Sequence, residues 1–413
     1  MKRILLITLL SFSRFCTALE SEALVSEAPV SEALKPTVIV LSWDGMRHDF
    51  PDLAKFPALQ RLESEGLRAK SLIPVYPSST FPTHVSMATG VNPDEHGIVD
   101  NAFYDRDKGH YAYSGDADWL EAEPIWITAE RQGVKTATFF WVSSETDWQG
   151  QGVSFRRSPF DKSVPESEKV DQIVNWLDLP NETRPHLIMS YWRGADDVAH
   201  DKGPNHADVT TRIHEQDEQL GRLLKALDDR NLWRTTTLLL VSDHGMEEVN
   251  KIIDLDAIVK ESGLDLMSTG RGAVNHLFLK HKSDKPKLLS ILSSVPNINV
   301  YTQDALPENF HFDYPNRTGD IILTTEAPHV FYKNTLLLKV HRLLAPLISW
   351  KVGAHGYSPE NPKMHAIFLG LGRGIKPGSK LESVHQLQIA PTIAKLLGID
   401  PPAGAKEKPI NLK

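Results

Sequence analysis

Short apolar runs with no helical period recur along the chain at Thr37–Ser42, Thr136–Trp141, His186–Tyr191, Thr237–Ser242 and Ala366–Leu369. A short, continuous apolar run, β-branched like Thr37-Val-Ile-Val, reads as a strand buried on both faces. Helical patterns lie between the runs. The clearest is His206–Arg230, where Val209, Ile213, Leu220, Leu223, Leu224 and Leu227 recur at spacings of three, four and seven. Strands alternating with helices predict an α/β fold, a mostly parallel sheet with helices on both faces. In such sheets functional groups gather just beyond the carboxyl ends of the strands. The residues that follow each run are therefore the ones to examine for chemistry.

The chain has 413 residues, 41% hydrophobic and 24% charged, enough to bury a large core. Met1–Ala18 combines Lys2 and Arg3 with the apolar run Ile4–Leu10 and small residues near Ala18. This is the layout of a secretory signal peptide, and the run is too short to span a bilayer. Residues 19–36 carry a five-residue acidic repeat and read as a flexible linker. Residues 37–402 form the main domain, with a less regular interval at about 246–352 expected to be a smaller inserted subdomain, and 403–413 form a C-terminal tail. No later stretch has the uninterrupted apolar length of a transmembrane helix, so a secreted or periplasmic protein is expected. Cys16, the only cysteine, would leave with the signal peptide, so any metal must be held by histidine and carboxylate.

Acidic and imidazole groups stand at or near several strand ends. They are Asp44 in Trp43-Asp-Gly-Met, Asp196 and His200 in Asp196-Asp-Val-Ala-His200, Asp243 and His244 in Ser242-Asp-His-Gly, and His355 in Gly353-Ala-His-Gly-Tyr357. With 17 histidines and 53 acidic residues in the chain, a lone Asp–His neighbour pair is more often a satisfied hydrogen bond. The set carries more weight. Oxygen and nitrogen donors without thiolate suit two borderline divalent ions such as Zn²⁺, each keeping an open position. A helix over Asp196–His200 would put both groups on one face. Tyr76-Pro-Ser-Ser-Thr80-Phe-Pro-Thr-His84 places a hydroxyl cluster ahead of a helix expected from Thr83 through Met87. A helix start offers free N–H groups and a positive dipole end, which suit a phosphoryl oxygen and a nucleophile. Taken locally, the same residues read as a helix cap after a proline turn.

Leu41-Ser-Trp-Asp-Gly, Ser79-Thr-Phe-Pro-Thr-His-Val-Ser, Thr89 through Asn101, Asp196–His200 with Gly203-Pro204, Ser242-Asp-His-Gly and His355-Gly-Tyr occur in this order. In order and spacing the chain resembles, from about Thr37 to Pro402, the nucleotide pyrophosphatase/phosphodiesterase family of the alkaline phosphatase superfamily. The resemblance implies an alkaline-phosphatase-like fold and hydrolysis of phosphodiester or pyrophosphate bonds, most readily of nucleotides. It implies Thr80 as the nucleophile, with Asp44, Asp243 and His244 binding the zinc that activates it and Asp196, His200 and His355 binding a second zinc. Asn101 corresponds to a side-chain amide donor to a phosphoryl oxygen, and Phe81 and Tyr191 to an aromatic pair that grips a group of the substrate. A covalent phospho-threonine intermediate and net retention at phosphorus follow from those roles.

Two departures stand out. Thr83 occupies a position where many members have Asn, and Tyr191-Trp-Arg-Gly-Ala-Asp196 replaces the acidic residues and proline usual before the metal-binding Asp. Arg193 thus brings a cation, either for a more anionic substrate or for a surface ion pair. The alternatives within the superfamily are a phosphomonoesterase or a phosphonate hydrolase. Outside catalysis, a metal-stabilised binding module would not require Thr80 or Asn101. A formal net charge of −8 gives no basic face for a nucleic acid, so a small phosphate ester is the expected substrate.

Overall fold

The computed structural model describes residues 35–332 and 351–413. The expected signal peptide and the linker up to residue 34 lie outside the described residues. The centre is an eight-stranded sheet. Its strands, in chain order, are β1 (Thr37–Trp43), β2 (Leu67–Ala69), β3 (Thr136–Phe139), β4 (Phe155–Arg157), β5 (Leu187–Trp192), β6 (Thr236–Val241), β7 (Phe368–Gly372) and β8 (Ser379–Leu381). Across the sheet they run β8-β2-β7-β6-β1-β5-β3-β4. Every pairing is parallel except those of β7, which runs against both β6 and β2.

Each apolar run read from the sequence falls on a strand of this sheet, and all seven residues of β1 are buried. The strand period of two divides them between two apolar layers. Val38 and Val40, with Leu187, Met189, Leu239 and Val241, face α2 (Thr80–Thr89), α3 (Ile125–Arg131) and α7 (Ile389–Leu397). Ile39 and Leu41, with Ile188, Leu238 and Leu240, face α1 (Pro57–Glu65), α4 (Glu166–Leu177) and α6 (Ala207–Asp229). The six apolar residues that defined the helical pattern in α6 are all buried. Each such side chain contributes about 1.5–3 kcal/mol by burial, whereas propensity differences are a few tenths, so packing holds this helix. Asp217 on the same helix accepts the Ala58 and Leu59 N–H groups at 3.1 and 2.8 Å, supplying the start of α1 with acceptors its own sequence lacks.

Between β6 and β7 the chain builds a four-stranded antiparallel sheet from Leu266–Thr269, Val274–Leu279, Ile321–Thr324 and Asn299–Thr302. It packs with helices Leu255–Ser262 and Lys285–Leu292 around an apolar cluster that includes Leu277, Leu279, Leu288, Leu292, Ile321 and Leu323. Val249 and Val352 pair across a short ribbon (Glu247–Val249 with Val352–Ala354), which returns the chain to the central sheet just before His355. At the end of the chain, residues 403–413 lie against α7, where the Ile410 N–H reaches the Thr392 hydroxyl at 2.9 Å and Ile410 and Leu412 are buried.

Candidate active site

The carboxyl ends of β1, β5 and β6 converge, and backbone contact brings them together. Gly45 follows Asp44 with φ of +67°, and Gly194 precedes Asp196 with φ of +60°. A β-carbon on Gly45 would lie 2.9 Å from Cα of Asp196, and one on Gly194 would lie 1.8 Å from the Asp44 carbonyl oxygen. Only glycine fits either position without displacing the other loop. Across this contact the Asp44 N–H donates to the Trp192 carbonyl at 3.0 Å, and the Ala195 N–H to the Asp44 carbonyl at 3.1 Å. Asp196 then opens a helix, α5 (Asp196–Lys202), so the expected i,i+4 pairing forms, with His200 Nε2 at 3.4 Å from Asp196 Oδ1.

Asp44 and Asp243 are each satisfied at one carboxylate oxygen and bare at the other. Asp243 Oδ1 accepts from the Gly45 N–H, the His244 N–H and the Ser242 hydroxyl at 3.0, 2.9 and 3.1 Å. Asp44 Oδ2 accepts from the Tyr191 hydroxyl at 2.5 Å. Asp44 Oδ1, Asp243 Oδ2 and Asp196 Oδ1 are buried and accept no hydrogen bond. Burial and the neighbouring Asp243 and Asp196 carboxylates push the Asp44 carboxyl well above its usual range. Several buried anionic oxygens without donors are unstable unless a cation compensates them, because each unpaired buried charge costs several kcal/mol.

The imidazoles show matching orientation. Nδ1 of His200 lies 2.9 Å from the Gly353 carbonyl, Nδ1 of His244 2.9 Å from the Gly245 carbonyl, and Nδ1 of His355 3.0 Å from the Ser78 carbonyl. A carbonyl only accepts, so each Nδ1 carries the proton and each Nε2 presents its lone pair to the cluster. His244 and His355 stack with ring centroids 3.6 Å apart, and His200 and His355 centroids are 5.0 Å apart. Burial, with His244 and His200 adjacent, holds the His355 imidazole well below its ordinary value. Neutral imidazoles and bare carboxylate oxygens are the donor set a borderline divalent cation requires. Ligand atoms of Asp44, Asp243 and His244 lie within 4.8 Å of one another, as do those of Asp196, His244 and His355. These Asp/His groups can bind metal; all three residues of the first are buried, whereas Asp196 and His355 of the second are partly exposed, and His200, which the structure leaves outside both groups, has a side chain 39% exposed.

Thr80 is the first residue of α2, which starts there and not at Thr83. Ser79 precedes the helix and its side chain makes no capping hydrogen bond. The Thr80 hydroxyl instead stands 3.2 Å from His244 Nε2, so the local reading of these residues as a side-chain cap does not describe them. The neighbouring carbonyl of Thr80 receives a hydrogen bond from His84 Nδ1 at 2.8 Å, and His84 Nε2 is 2.8 Å from the Ser42 hydroxyl at the end of β1. His84 therefore ties the helix start to the central sheet. It stands within the Ser79–Ser86 motif, yet only the fold shows what it holds.

Asn101 lines the cavity, and its Oδ1 accepts the Phe81 N–H at 2.8 Å. Thr80, Phe81, Asn101, Tyr191, Asp44, Asp196, His200 and His355 all line one cavity of about 1150 Å³. Tyr191 does more than offer a ring: its hydroxyl holds Asp44, while its ring meets His84 edge-on at 5.4 Å and Phe160 at 5.8 Å. Phe160, 44% exposed on the same cavity wall, belongs to no motif and was invisible in the sequence. Tyr113, whose ring lies 5.4 Å from that of Phe81, was equally silent. Arg193 does not line this cavity. It pairs with Asp197 one helical turn away and donates to the Lys162 carbonyl at 3.2 Å, which is the ion-pair alternative.

A family model described as type I phosphodiesterase / nucleotide pyrophosphatase matches residues 38–358. An uncharacterized pyrophosphatase/phosphodiesterase of Schizosaccharomyces pombe is 29% identical over 388 residues, covering 89% of this chain and 78% of that protein. The bis(5'-adenosyl)-triphosphatase ENPP4 of Bos taurus is 29% identical over 380 residues, covering 90% and 80%. The solved structure of an inactive murine ectonucleotide pyrophosphatase / phosphodiesterase 5 in complex with AMP aligns with a TM-score of 0.79 at 25% identity, covering 89% of this chain and 96% of that one.

Proposed function

The chain belongs to the type I phosphodiesterase / nucleotide pyrophosphatase family and is an enzyme of that kind, and we propose that it cleaves nucleotide phosphodiester or pyrophosphate bonds through a covalent phosphate on Thr80. The observation that carries this reading is the Thr80 hydroxyl at a helix start, 3.2 Å from an imidazole Nε2 of a buried cluster whose carboxylate oxygens lack donors. Asp44, Asp243 and His244 would hold one Zn²⁺, and Asp196, His200 and His355 a second. Such ions, when bound, lower the pKa of a coordinated hydroxyl and offset charge on the phosphoryl group.

Thr80 Oγ1 attacks phosphorus, its hydroxyl proton passes to solvent, and the bond between phosphorus and the leaving oxygen breaks, so the leaving group departs as the phospho-threonine forms. Water then attacks from the vacated side, the Thr80 Oγ1–phosphorus bond breaks, and the hydroxyl regains a proton. The Asn101 amide, oriented by the Phe81 N–H on its oxygen, donates to a non-bridging phosphoryl oxygen. Phe81 and Phe160 give the cavity apolar surface for a nucleobase, in keeping with a relative named for bis(5'-adenosyl) triphosphate and a structural neighbour that holds AMP. Among the described residues no helix is long and apolar enough to cross a membrane. Relatives named as ectonucleotide enzymes support export of this chain as well.

Turnover of a nucleotide ester made chiral at phosphorus with a phosphorothioate tests the covalent route. Two in-line steps require net retention, and inversion would rule out the phospho-threonine. The Thr80→Ala variant should keep its metal content and lose at least ~10³-fold in kcat; full activity in that variant would refute the assignment.

A further inference from the structure

Tyr191 holds Asp44 through its hydroxyl, and a buried lysine holds the backbone of Tyr191 in turn. Successive carbonyls of β5 face opposite neighbours. That of Trp192 faces β1 and accepts the Asp44 N–H, so that of Tyr191 faces β3. The β3 ladder ends one residue too early to serve it: Phe139 pairs with Ser190, and Phe140 turns away with φ of +60°. Lys169 supplies the missing donor. It stands in the first turn of α4, is 1% exposed, and donates from Nζ to the Tyr191 carbonyl at 3.0 Å. The same ammonium lies over the rings of Phe140 and Tyr191, 5.8 and 6.0 Å from their centroids, and both rings line the main cavity.

A lysine so little exposed is unusual unless its charge has a use. Among the described residues no carboxylate pairs with it, because Glu166, which opens α4, gives its Oε1 to Arg212 at 2.6 Å. Burial, opposed by Glu166 and aided by Arg212 and Arg193, pushes the Lys169 amine down to about 8, so it is mostly protonated at neutral pH. The Tyr191 phenol beside it is held neutral by burial and by Asp44. We propose that Lys169 is a positioning residue for Tyr191: its ammonium fixes the end of β5 and the ring, so that the hydroxyl meets Asp44 and keeps that carboxylate ready for a cation. Lys169 does not line the cavity, so it acts through Tyr191. The inference rests on the reading of Asp44 as a zinc ligand and adds a residue that no motif marks.

Zinc affinity from equilibrium dialysis tests this in a double-mutant cycle of Lys169→Met and Tyr191→Phe. Loss of an outer-shell partner of a metal ligand lowers affinity about 10- to 100-fold, and Lys169 stands one contact further out, so Lys169→Met should lower it about 3- to 10-fold. Lys169→Arg, which keeps a charged donor, should restore most of that loss. In the Tyr191→Phe background the effect of Lys169→Met should shrink below about twofold, since the hydroxyl through which Lys169 acts is gone. An unchanged affinity in Lys169→Met would overturn the proposal. So would a loss of equal size in both backgrounds, because a general loosening of the fold acts independently of the hydroxyl. Should Lys169→Met not fold, the unsubstituted protein and Lys169→Arg decide the question. The amine is charged below about 8 and neutral above, whereas the guanidinium stays charged, so the affinity of the unsubstituted protein relative to Lys169→Arg should fall about threefold or more as pH rises through that value. A flat ratio would refute the role. If the unsubstituted protein binds no zinc, the metal reading fails and this inference falls with it; if it binds zinc and position 169 has no effect, only the role of Lys169 is lost.

Discussion

Replacing Tyr191 by Phe removes one oxygen atom and leaves the ring contacts to His84 and Phe160 in place. That oxygen donates to Asp44 Oδ2 at 2.5 Å, within a carboxylate that is only 4% exposed. Solvent cannot replace the donor at such a site, so the loss should approach the full value of a charge-assisted hydrogen bond, about 1.5–3 kcal/mol. The bond favours the ionised form of Asp44, and only that form ligates a cation. The sign is thus fixed: Tyr191→Phe weakens metal binding, by about 10- to 150-fold at 1.4 kcal/mol per tenfold. Equilibrium dialysis against buffered Zn²⁺, with the metal counted directly, measures this independently of turnover. Phe81→Leu serves as the control, since its ring contacts Tyr111 and Tyr113 and no carboxylate of the cluster. Zinc affinity within threefold of the unsubstituted protein in Tyr191→Phe would refute the argument and return Tyr191 to the role of an aromatic wall.

Asn101→Ala removes a proposed donor to the phosphoryl group and should lower kcat about 10²–10³-fold in steady-state assays on a nucleotide ester, with zinc content unchanged. Chelation should lower the thermal unfolding midpoint and added Zn²⁺ should restore it, since an ion at a thousandfold its Kd stabilises the folded state by about 4 kcal/mol; a midpoint indifferent to chelator would contradict the cation requirement drawn from the bare carboxylate oxygens. Arg317→Met should destabilise the fold by about 3–5 kcal/mol in denaturant titration, because Arg317 is buried and joins Asp105 at 2.8 Å, Glu121 at 2.6 Å and the carbonyls of Gly97 and Trp119.

Much of the scaffold was legible in the sequence. The apolar runs became strands of the central sheet, and the periodic positions of α6 became its buried face, because burial on both faces or on one stripe leaves a mark of period in the residues themselves. In α7 residue type also marks the bounds locally, with Pro391 near its start and Gly398 in a left-handed conformation after its end. The acidic and imidazole groups at strand ends were visible as motifs, and the resemblance assigned them roles.

Other features carried no local sign. The start of α2 at Thr80 depends on where Ser79 is held and on His84 bridging to Ser42, a partner 42 residues away in sequence. The two sides of Arg193 could not be weighed until Asp197 and the Lys162 carbonyl were seen beside it, outside the cavity. Phe160 and Tyr113 reach the cavity from separate loops, and no spacing rule links them to Thr80. The sequence by itself therefore determined the layered α/β scaffold and the inventory of groups able to perform phosphoryl chemistry, since period and residue type are local properties. Tertiary structure alone decided which oxygens are left bare and which nitrogens point inward. Those depend on backbone approach between chain segments far apart in sequence, such as Gly45 against Asp196 and Gly194 against Asp44.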